Sequence, residues 1–263
     1  MSSRKLIEWD ARAYDTLSDP QFSWGLKLLA TIPLRGDETV MDAGCGSGRL
    51  TEELIKRLPE GRVIAADLSA NMLETARERL QWAKEGVSFA RCDLSNFRLP
   101  EPVDGIFSNA TLHWVPDHAS MFRSLHRALK PGGWLVAQFG GEGNLARLKS
   151  RAAHWAKQEP FSSHITEEID SAHYATEAET RRHMEGAGFA DIETRRHPEQ
   201  VRFPDAESMR TFVSKVNLHK YIAALPDQLA QDFANRVVAA AAEDDPPFTL
   251  DYIRLTIRAK RPN

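Results

Sequence analysis

Along the first half of the chain, segments with the apolar pattern of a strand alternate with segments that have the apolar period of a helix. Short apolar runs of strand length are each followed by a stretch whose apolar residues recur every three or four positions. Strands that alternate with helices form parallel βαβ units, so we predict an α/β fold with a doubly wound, mostly parallel sheet. Its first five strands are predicted in ETVMDA, RVIAAD, GVSFARCD, VDGIFSNA and GWLVAQFG, between residues 38 and 140.

The helices between these strands carry recognisable start and stop signals. In SANMLETARERLQWA, Ser69 is predicted to cap a helix that buries Met72 and Ala76 on one face. A later helix is predicted to hold Pro116 in its first turn and to end at the KPGG stretch that begins with Lys130.

Helical patterns predominate after residue 140. We predict helices in NLARLKSRAAHWAKQ and TEAETRRHMEGAGF, a sixth strand in ADIETRRHPEQVRF, and two helices divided by Pro226 within residues 205–243. A seventh strand, antiparallel to the others, is predicted in FTLDYIRLTIRAK. We expect one domain, with parts that are N-terminal lid helices (1–33), a cofactor-binding core (34–143), a helical cap (144–175 and 205–247) and further sheet elements (176–204 and 248–263).

Composition and charge exclude several classes of protein. Apolar residues make up 42% of the chain and charged residues 27%, as in soluble globular proteins, and no apolar run reaches the length of a membrane span. The net charge of −3 argues against bulk nucleic-acid binding. The first residues lack the apolar core of a secretory signal, and Cys45 and Cys92 match neither a disulfide framework nor a zinc motif. We therefore expect a cytoplasmic protein with free thiols and no metal, and with neither membrane nor nucleic acid as partner.

The stretch VMDAGCGSGRL holds the strongest chemical signal. Gly44, Gly46 and Gly48 follow Asp42 at a strand-to-helix turn, where open α/β sheets bind ligands and where glycine lets the backbone approach a ligand closely. A dinucleotide enzyme usually shows G-x-G-x-x-G, and a carboxylate there would repel a diphosphate. The D-x-G-x-G-x-G spacing instead suits a ligand with a cationic amino-acid end, which favours S-adenosylmethionine over NAD.

Two more acids end the next two predicted strands. Asp67, in VIAADLS, can accept hydrogen bonds from ribose hydroxyls, and Asp93, in ARCDLSNF, can accept one from an adenine amino group. Met72 and Leu94 are suited to pack on the two faces of adenine. Taken alone, Asp67 or Asp93 is better interpreted as a strand-end or helix-capping carboxylate. Three acids at the ends of three successive strands indicate a single nucleoside site.

These segments resemble class I S-adenosylmethionine-dependent methyltransferases. The resemblance covers residues 38–140 and rests on VMDAGCGSGRLT, VIAADLSANML, RCDLSNF, SNATLHWVPDH and LKPGGWLVAQFGG. WDARAYDTLSDPQ, ATLHWVPDH and, less closely, the tail from HMEGAGF to LTIRAK are similar to the trans-aconitate methyltransferase subgroup. In that subgroup an N-terminal helix and a helical cap close over the cofactor, which agrees with the two helical insertions.

The resemblance implies a site for each part of S-adenosylmethionine. It assigns the methionine part to the glycine loop with Asp42 beneath it, the ribose to Asp67, and the sulfonium end to Asn109. Trp9 and Tyr14 match family positions on the lid, although Trp9 is equally well explained as a core anchor. The implied cofactor-binding residues are Asp42, Ala43, Gly44, Cys45, Gly46, Asp67, Leu68, Met72, Asp93, Leu94, Asn109, Trp9 and Tyr14.

The methyl acceptor decides whether a base is required. A carboxylate is ionised at neutral pH and needs none, whereas a hydroxyl, an amine or a carbon acid usually loses a proton. His113 is the candidate base, or a histidine that only hydrogen-bonds the lid, and His118 is predicted to lie on the surface. The cations considered for an acceptor carboxylate, without preference among them, are Arg195, Arg196, Arg202, Lys215, His219 and Lys220.

We expect O-methylation of the carboxylate of a small molecule, giving a methyl ester as in the trans-aconitate subgroup. Within the class, the alternative is C-, N- or O-methylation of a secondary metabolite or of a carrier-bound acid. Outside the class, the alternatives are an NAD-dependent oxidoreductase and a cofactor-binding module without catalysis.

Overall fold

The computed structural model describes residues 19–165 and 172–263. No helix in these two ranges is long and apolar enough to cross a membrane. The strands are β1 Thr39–Ala43, β2 Arg62–Asp67, β3 Val87–Arg91, β4 Val103–Asn109, β5 Leu129–Gly140, β6 Ala190–Arg202 and β7 Thr249–Lys260. The α-helices are α1 Asp19–Leu29, α2 Arg49–Lys56, α3 Ala70–Leu80, α4 His118–Ala128, α5 Ala146–Ala156, α6 Glu177–Ala187, α7 Ala206–Val216, α8 His219–Ala223 and α9 Asp227–Ala239.

All seven strands belong to one sheet, in the order β3-β2-β1-β4-β5-β7-β6. The pairs β1–β2, β2–β3, β1–β4 and β4–β5 are parallel, and β7 is the antiparallel strand, which confirms the predicted fold. The order reverses at β1, because the chain proceeds from β1 to β2 and β3 on one side and then to β4 on the other. Such a switch point is where doubly wound sheets bind ligands.

The central strands are buried on both faces, which explains why they are continuous apolar runs and not alternating ones. Val40, Phe107 and Val136 pack in one core, while their neighbours Met41 and Ile106 pack in the core on the other face. Each fully buried side chain of this size stabilises the fold by about 1.5–3 kcal/mol. The two cores fix the register of the sheet and therefore the positions of the residues at its ends.

Helix boundaries agree with the predictions where capping is local. Ser69 caps α3 and accepts a hydrogen bond from the Met72 N–H at 3.2 Å. The prediction for Pro116 was wrong, because α4 begins only after Asp117, whose carboxylate accepts the Ser120 N–H at 2.9 Å. The KPGG stretch does not lie between helix and strand either, because β5 already begins at Leu129 and passes irregularly through it.

The helical region 205–243 has one more break than predicted. Pro226 separates α8 from α9, as expected, but α7 and α8 are also separate helices. The N–H groups of Asn217 and Leu218 both donate to the carbonyl of Val213, which closes α7 one turn early.

The chain divides into two compact units. Among the described residues, one comprises residues 19–141 with Ala175–Arg196 and Leu255–Asn263, and the other comprises residues 142–165 and 172–174 with His197–Arg254. Within the second unit, Phe233 is the centre of an aromatic cluster. Its ring lies 5.2 Å from that of Phe161 and 5.3 Å from that of Tyr221.

Candidate active site

The carboxyl ends of the parallel strands bring the predicted loop and acids together at one edge of the first unit. Ala43 pairs with Ala66, and Asp67 pairs with Arg91, so the residues that follow β1, β2 and β3 are neighbours. Asn109 ends β4 at the same edge. The sites predicted from separate sequence segments are thus parts of one surface.

The glycine loop is folded tightly against the end of β2. The N–H groups of Gly44 and Cys45 both donate to the Ala66 carbonyl, at 2.7 and 3.0 Å. The Gly46 N–H donates to Oδ2 of Asp67 at 2.9 Å. The φ angles of the three alternate glycines, 82°, 54° and 83°, are all left-handed, which explains why glycine recurs at every second position.

Asp67 connects this loop to the start of α3. Its Oδ2 accepts the Gly46 N–H and its Oδ1 accepts the Ser69 N–H at 2.9 Å. The two bonds therefore fix the orientation of the carboxylate beside the loop.

Asp93 and the apolar residues nearby differ in exposure. Asp93 is exposed, and its Oδ1 accepts both the N–H and the hydroxyl of Ser95 at 2.8 Å. No residue in the described ranges hydrogen-bonds its Oδ2. Met72 and Leu94 are buried, whereas Leu68 is 43% exposed. Leu68 is thus the apolar side chain that remains open to a ligand.

Asp42 lies beneath the loop, only 2% exposed, and accepts the Thr51 hydroxyl at 2.7 Å. Burial raises the pKa of Asp42 from 3.8 to about 7; the Thr51 hydrogen bond opposes this rise, and the negative charge of Asp67 adds to it. The folded protein therefore favours the protonated carboxyl, so stability from this group is complete at low pH and is lost as the pH rises through about 7.

We expect the Asp42→Asn variant to lose this pH dependence. An amide oxygen can still accept the Thr51 hydroxyl but carries no charge to desolvate. The wild-type free energy of unfolding should fall by about 4 kcal/mol at most, through this group, between acid pH and pH values above 7. Denaturant unfolding across that range measures the difference, and the same slope in both proteins would contradict the assignment.

Three side chains fasten the end of β4 to its surroundings. Ser108 donates to the Ala43 carbonyl at 2.6 Å, and the Thr111 hydroxyl lies 3.1 Å from the carbonyls of both Gly44 and Asn109. The Asn109 amide donates to the Gln21 carbonyl at 2.9 Å. Its Oδ1 is buried, without a hydrogen-bond partner in the described part of the chain. Thr111 was missed by the sequence analysis.

His113 is 6% exposed and held by the end of β5. Its Nδ1 accepts the Gly140 N–H at 3.3 Å, so the neutral ring carries its proton on Nε2. The surface prediction for His118 was wrong, because this side chain is buried edge-on against Phe122 and Phe139.

The cations considered for an acceptor are mostly exposed. Arg195, Arg196, Arg202 and Lys215 are exposed, and His219 and Lys220 are half-buried. The second unit contains a cation that the sequence analysis missed, because Arg254 on β7 is only 2% exposed. Its one sequence signal was an arginine inside an apolar strand.

Trp9 and Tyr14 lie outside the described residues, and their assignments remain predictions. Among the predicted residues at this edge, the groups that can receive a ligand's hydrogen bonds are the carboxylate of Asp67, Oδ2 of Asp93 and Oδ1 of Asn109. A diphosphate requires donors and positive charge. A cationic nucleoside with free hydroxyl and amino groups fits this set of acceptors.

Comparison with known proteins agrees with this geometry. The methyltransferase domain family matches residues 40–133. Trans-aconitate 2-methyltransferase of Methylobacterium nodulans is 31% identical over 97% of this chain and 99% of its own. That of Azoarcus sp. is 41% identical over 49% of this chain, and the match spans 50% of its own length.

The solved structure of Haemonchus contortus phosphoethanolamine N-methyltransferase 2 with S-adenosylhomocysteine has a TM-score of 0.62 at 21% identity, over 96% of this chain and 57% of its own. This likeness concerns the fold. The fold, the acidic site and these matches together define an S-adenosylmethionine-dependent methyltransferase, and they do not support an NAD-dependent oxidoreductase. Within that class, the chain belongs to the trans-aconitate methyltransferase family.

Proposed function

We propose that the protein transfers a methyl group from S-adenosylmethionine to a carboxylate oxygen of a small polycarboxylic acid, which gives a methyl ester. The observation that carries this proposal is the hydrogen bond from the Gly140 N–H to Nδ1 of His113, because it engages the lone pair that a general base would use. The names of the relatives, trans-aconitate 2-methyltransferases, support the same acceptor class.

The cofactor is proposed to lie along the acidic edge of the first unit. Asp67 accepts hydrogen bonds from the ribose hydroxyls, and Oδ2 of Asp93 accepts one from the adenine amino group. Leu68 covers the adenosine, while Met72 and Leu94 form the apolar floor. Oδ1 of Asn109 faces the sulfonium end, and Ala43, Gly44, Cys45 and Gly46, above Asp42, hold the methionine part.

With this acceptor, the protein itself needs to supply little catalytic chemistry. Bound S-adenosylmethionine supplies a methyl group that its sulfonium already activates. A carboxylate acceptor is ionised at neutral pH, so the protein must align it and exclude water, but it need not remove a proton. In this arrangement His113 acts as a hydrogen-bond donor through Nε2, and we propose no base.

An acceptor panel tests the proposal. Purified protein is given S-adenosylmethionine with trans-aconitate, a monocarboxylate, a phenol or a primary amine, and S-adenosylhomocysteine formation is followed. We expect turnover with trans-aconitate and a product from which mild base releases methanol, as it does from an ester. Transfer to the phenol or the amine, with none to the polycarboxylate, would overturn the proposal and favour the alternative acceptors.

The His113→Gln variant, measured in the same assay, tests whether His113 acts as a general base. Glutamine can accept the Gly140 N–H and donate through its amide, so most of the activity should remain. A general base would contribute about 10²–10⁴-fold to the rate. A loss of that size, with a pH profile that changes in the variant, would show that a proton is removed after all.

A further inference from the structure

Three arginines surround a small cavity at the amino ends of β4 and β5. The cavity has a volume of about 170 Å³, and Arg98, Arg127 and Arg261 are among its lining residues. Its apolar wall consists of Phe97, Leu99 and Pro102. All six residues belong to the first unit. None of them has a role in the cofactor site.

The three guanidinium groups have no carboxylate partner in the described part of the chain. Arg127 uses Nη2 to bond the Phe97 carbonyl at 3.0 Å and the Ser124 hydroxyl at 3.1 Å. Arg261 uses Nη1 to bond the carbonyls of Leu129 at 2.6 Å and Arg127 at 3.4 Å. Each guanidinium has five N–H donors, so most donors on Arg127 and Arg261 remain open. The side chain of Arg98 makes no hydrogen bond within the described residues.

The positive charge of one of these arginines also affects the pKa of a neighbouring histidine. Burial lowers the pKa of His126, and the positive charge of Arg261 lowers it further. The region around the cavity is therefore positive, and its histidine does not add to the charge at neutral pH.

We propose that Arg98, Arg127 and Arg261 bind a small polyvalent oxyanion in this cavity. Guanidinium groups bind carboxylates and phosphates through paired hydrogen bonds, and three of them favour a ligand with more than one negative charge. Pockets for drug-sized ligands measure about 300–1,000 Å³, so this cavity suits a single phosphate or a short polycarboxylate. A ligand with a carbon skeleton would also contact the apolar wall.

This site is separate from the cofactor edge. Pro102 directly precedes β4, whose 7 residues span roughly 20 Å before Asn109 at the other end. A ligand in the cavity therefore lies beyond reach of the transferred methyl group. It would be a second, non-reacting ligand of the enzyme.

Titration calorimetry tests the proposal on the full chain saturated with S-adenosylhomocysteine, with inorganic phosphate and citrate as separate probes at matched ionic strength. We expect at least one probe to bind, and the Arg98→Ala variant to bind it about tenfold more weakly, because one charge-assisted contact is lost. Arg98→Glu should abolish binding. Arg98 is the residue to change, because Arg127 and Arg261 also bond backbone carbonyls.

Arg62→Ala serves as the matched control, since Arg62 is an exposed arginine outside the cavity. Tighter binding of citrate than of phosphate indicates a carbon skeleton on the apolar wall, and the reverse order indicates a phosphate. Citrate bound at the methyl-acceptor position would be unaffected by Arg98→Glu. Citrate binding that Arg98→Glu does not weaken would therefore contradict anion binding in the cavity, but it would not contradict the proposed methyl transfer. Absence of binding by both probes, or equal weakening by Arg62→Ala, overturns the proposal.

Discussion

Replacing Gly44 with alanine is expected to destabilise the protein by about 3–5 kcal/mol and to abolish cofactor binding. Two effects combine at this position. The φ angle of 82° lies in the left-handed region that side chains disfavour, and an added Cβ would lie 2.5 Å from the Cβ of Thr111, far inside contact distance. This steric clash can be relieved only if the glycine loop moves away from Thr111 at the end of β4.

Gly46→Ala is the matched control for this variant. Its φ of 54° is also left-handed, but the nearest heavy atom to an added Cβ is the Met72 sulfur at 4.0 Å. This variant should therefore lose only about 1 kcal/mol. Removing the opposing side chain with Thr111→Gly should restore part of the stability of Gly44→Ala, as expected for residues in contact. Denaturant unfolding and calorimetry with S-adenosylhomocysteine measure both effects. Equal stability of the two alanine variants would refute the packing argument.

The second large effect is expected for Asp67→Ala, whose affinity for S-adenosylhomocysteine should fall at least about 100-fold. In the proposed site this carboxylate accepts the ribose hydroxyls, and hydrogen bonds to charged groups contribute about 1.5–3 kcal/mol each. Calorimetry with S-adenosylhomocysteine measures the affinity, and denaturant unfolding measures the stability of the same variant.

Two further variants control for a purely structural role of Asp67, which also accepts the Gly46 and Ser69 N–H groups. Asp67→Asn keeps one acceptor oxygen but loses the charge, so its affinity should be intermediate. Asp37→Ala removes an exposed aspartate from the same unit and should have little effect. If Asp67→Ala unfolds at a much lower denaturant concentration yet, where still folded, binds S-adenosylhomocysteine normally, Asp67 has a structural role only.

Much of the fold could be predicted because its signals are local. The strand sequences, the Ser69 cap and the D-x-G-x-G-x-G turn depend on residues close together in the chain, and the structure confirms the strands and the cap. The extent of β5 was underestimated, because Lys130-Pro-Gly-Gly has the composition of a turn. β4 nevertheless pairs with Leu129 and Trp134 on either side of this stretch, and backbone hydrogen bonds join Gly132 and Gly133 to Arg261.

The features that sequence analysis missed depend on distant contacts. Thr111 lies 67 positions from the Gly44 carbonyl that it bonds. Neither His118 nor Arg254 could be recognised as buried, because polar residues on helices and strands are usually exposed and only the packed structure shows otherwise. The cavity at Arg98, Arg127 and Arg261 likewise combines residues from three separate segments.

If Asp67 binds the nucleoside as proposed, its two hydrogen bonds have a consequence for the speed of each catalytic cycle. They join Gly46 and Ser69 through protein atoms alone, so this corner of the fold is already assembled when a fresh nucleoside arrives. Little conformational entropy is then lost on association, and departure of the spent nucleoside does not require the corner to unfold. Exchange of used for new methyl donor can thus proceed on a rigid platform.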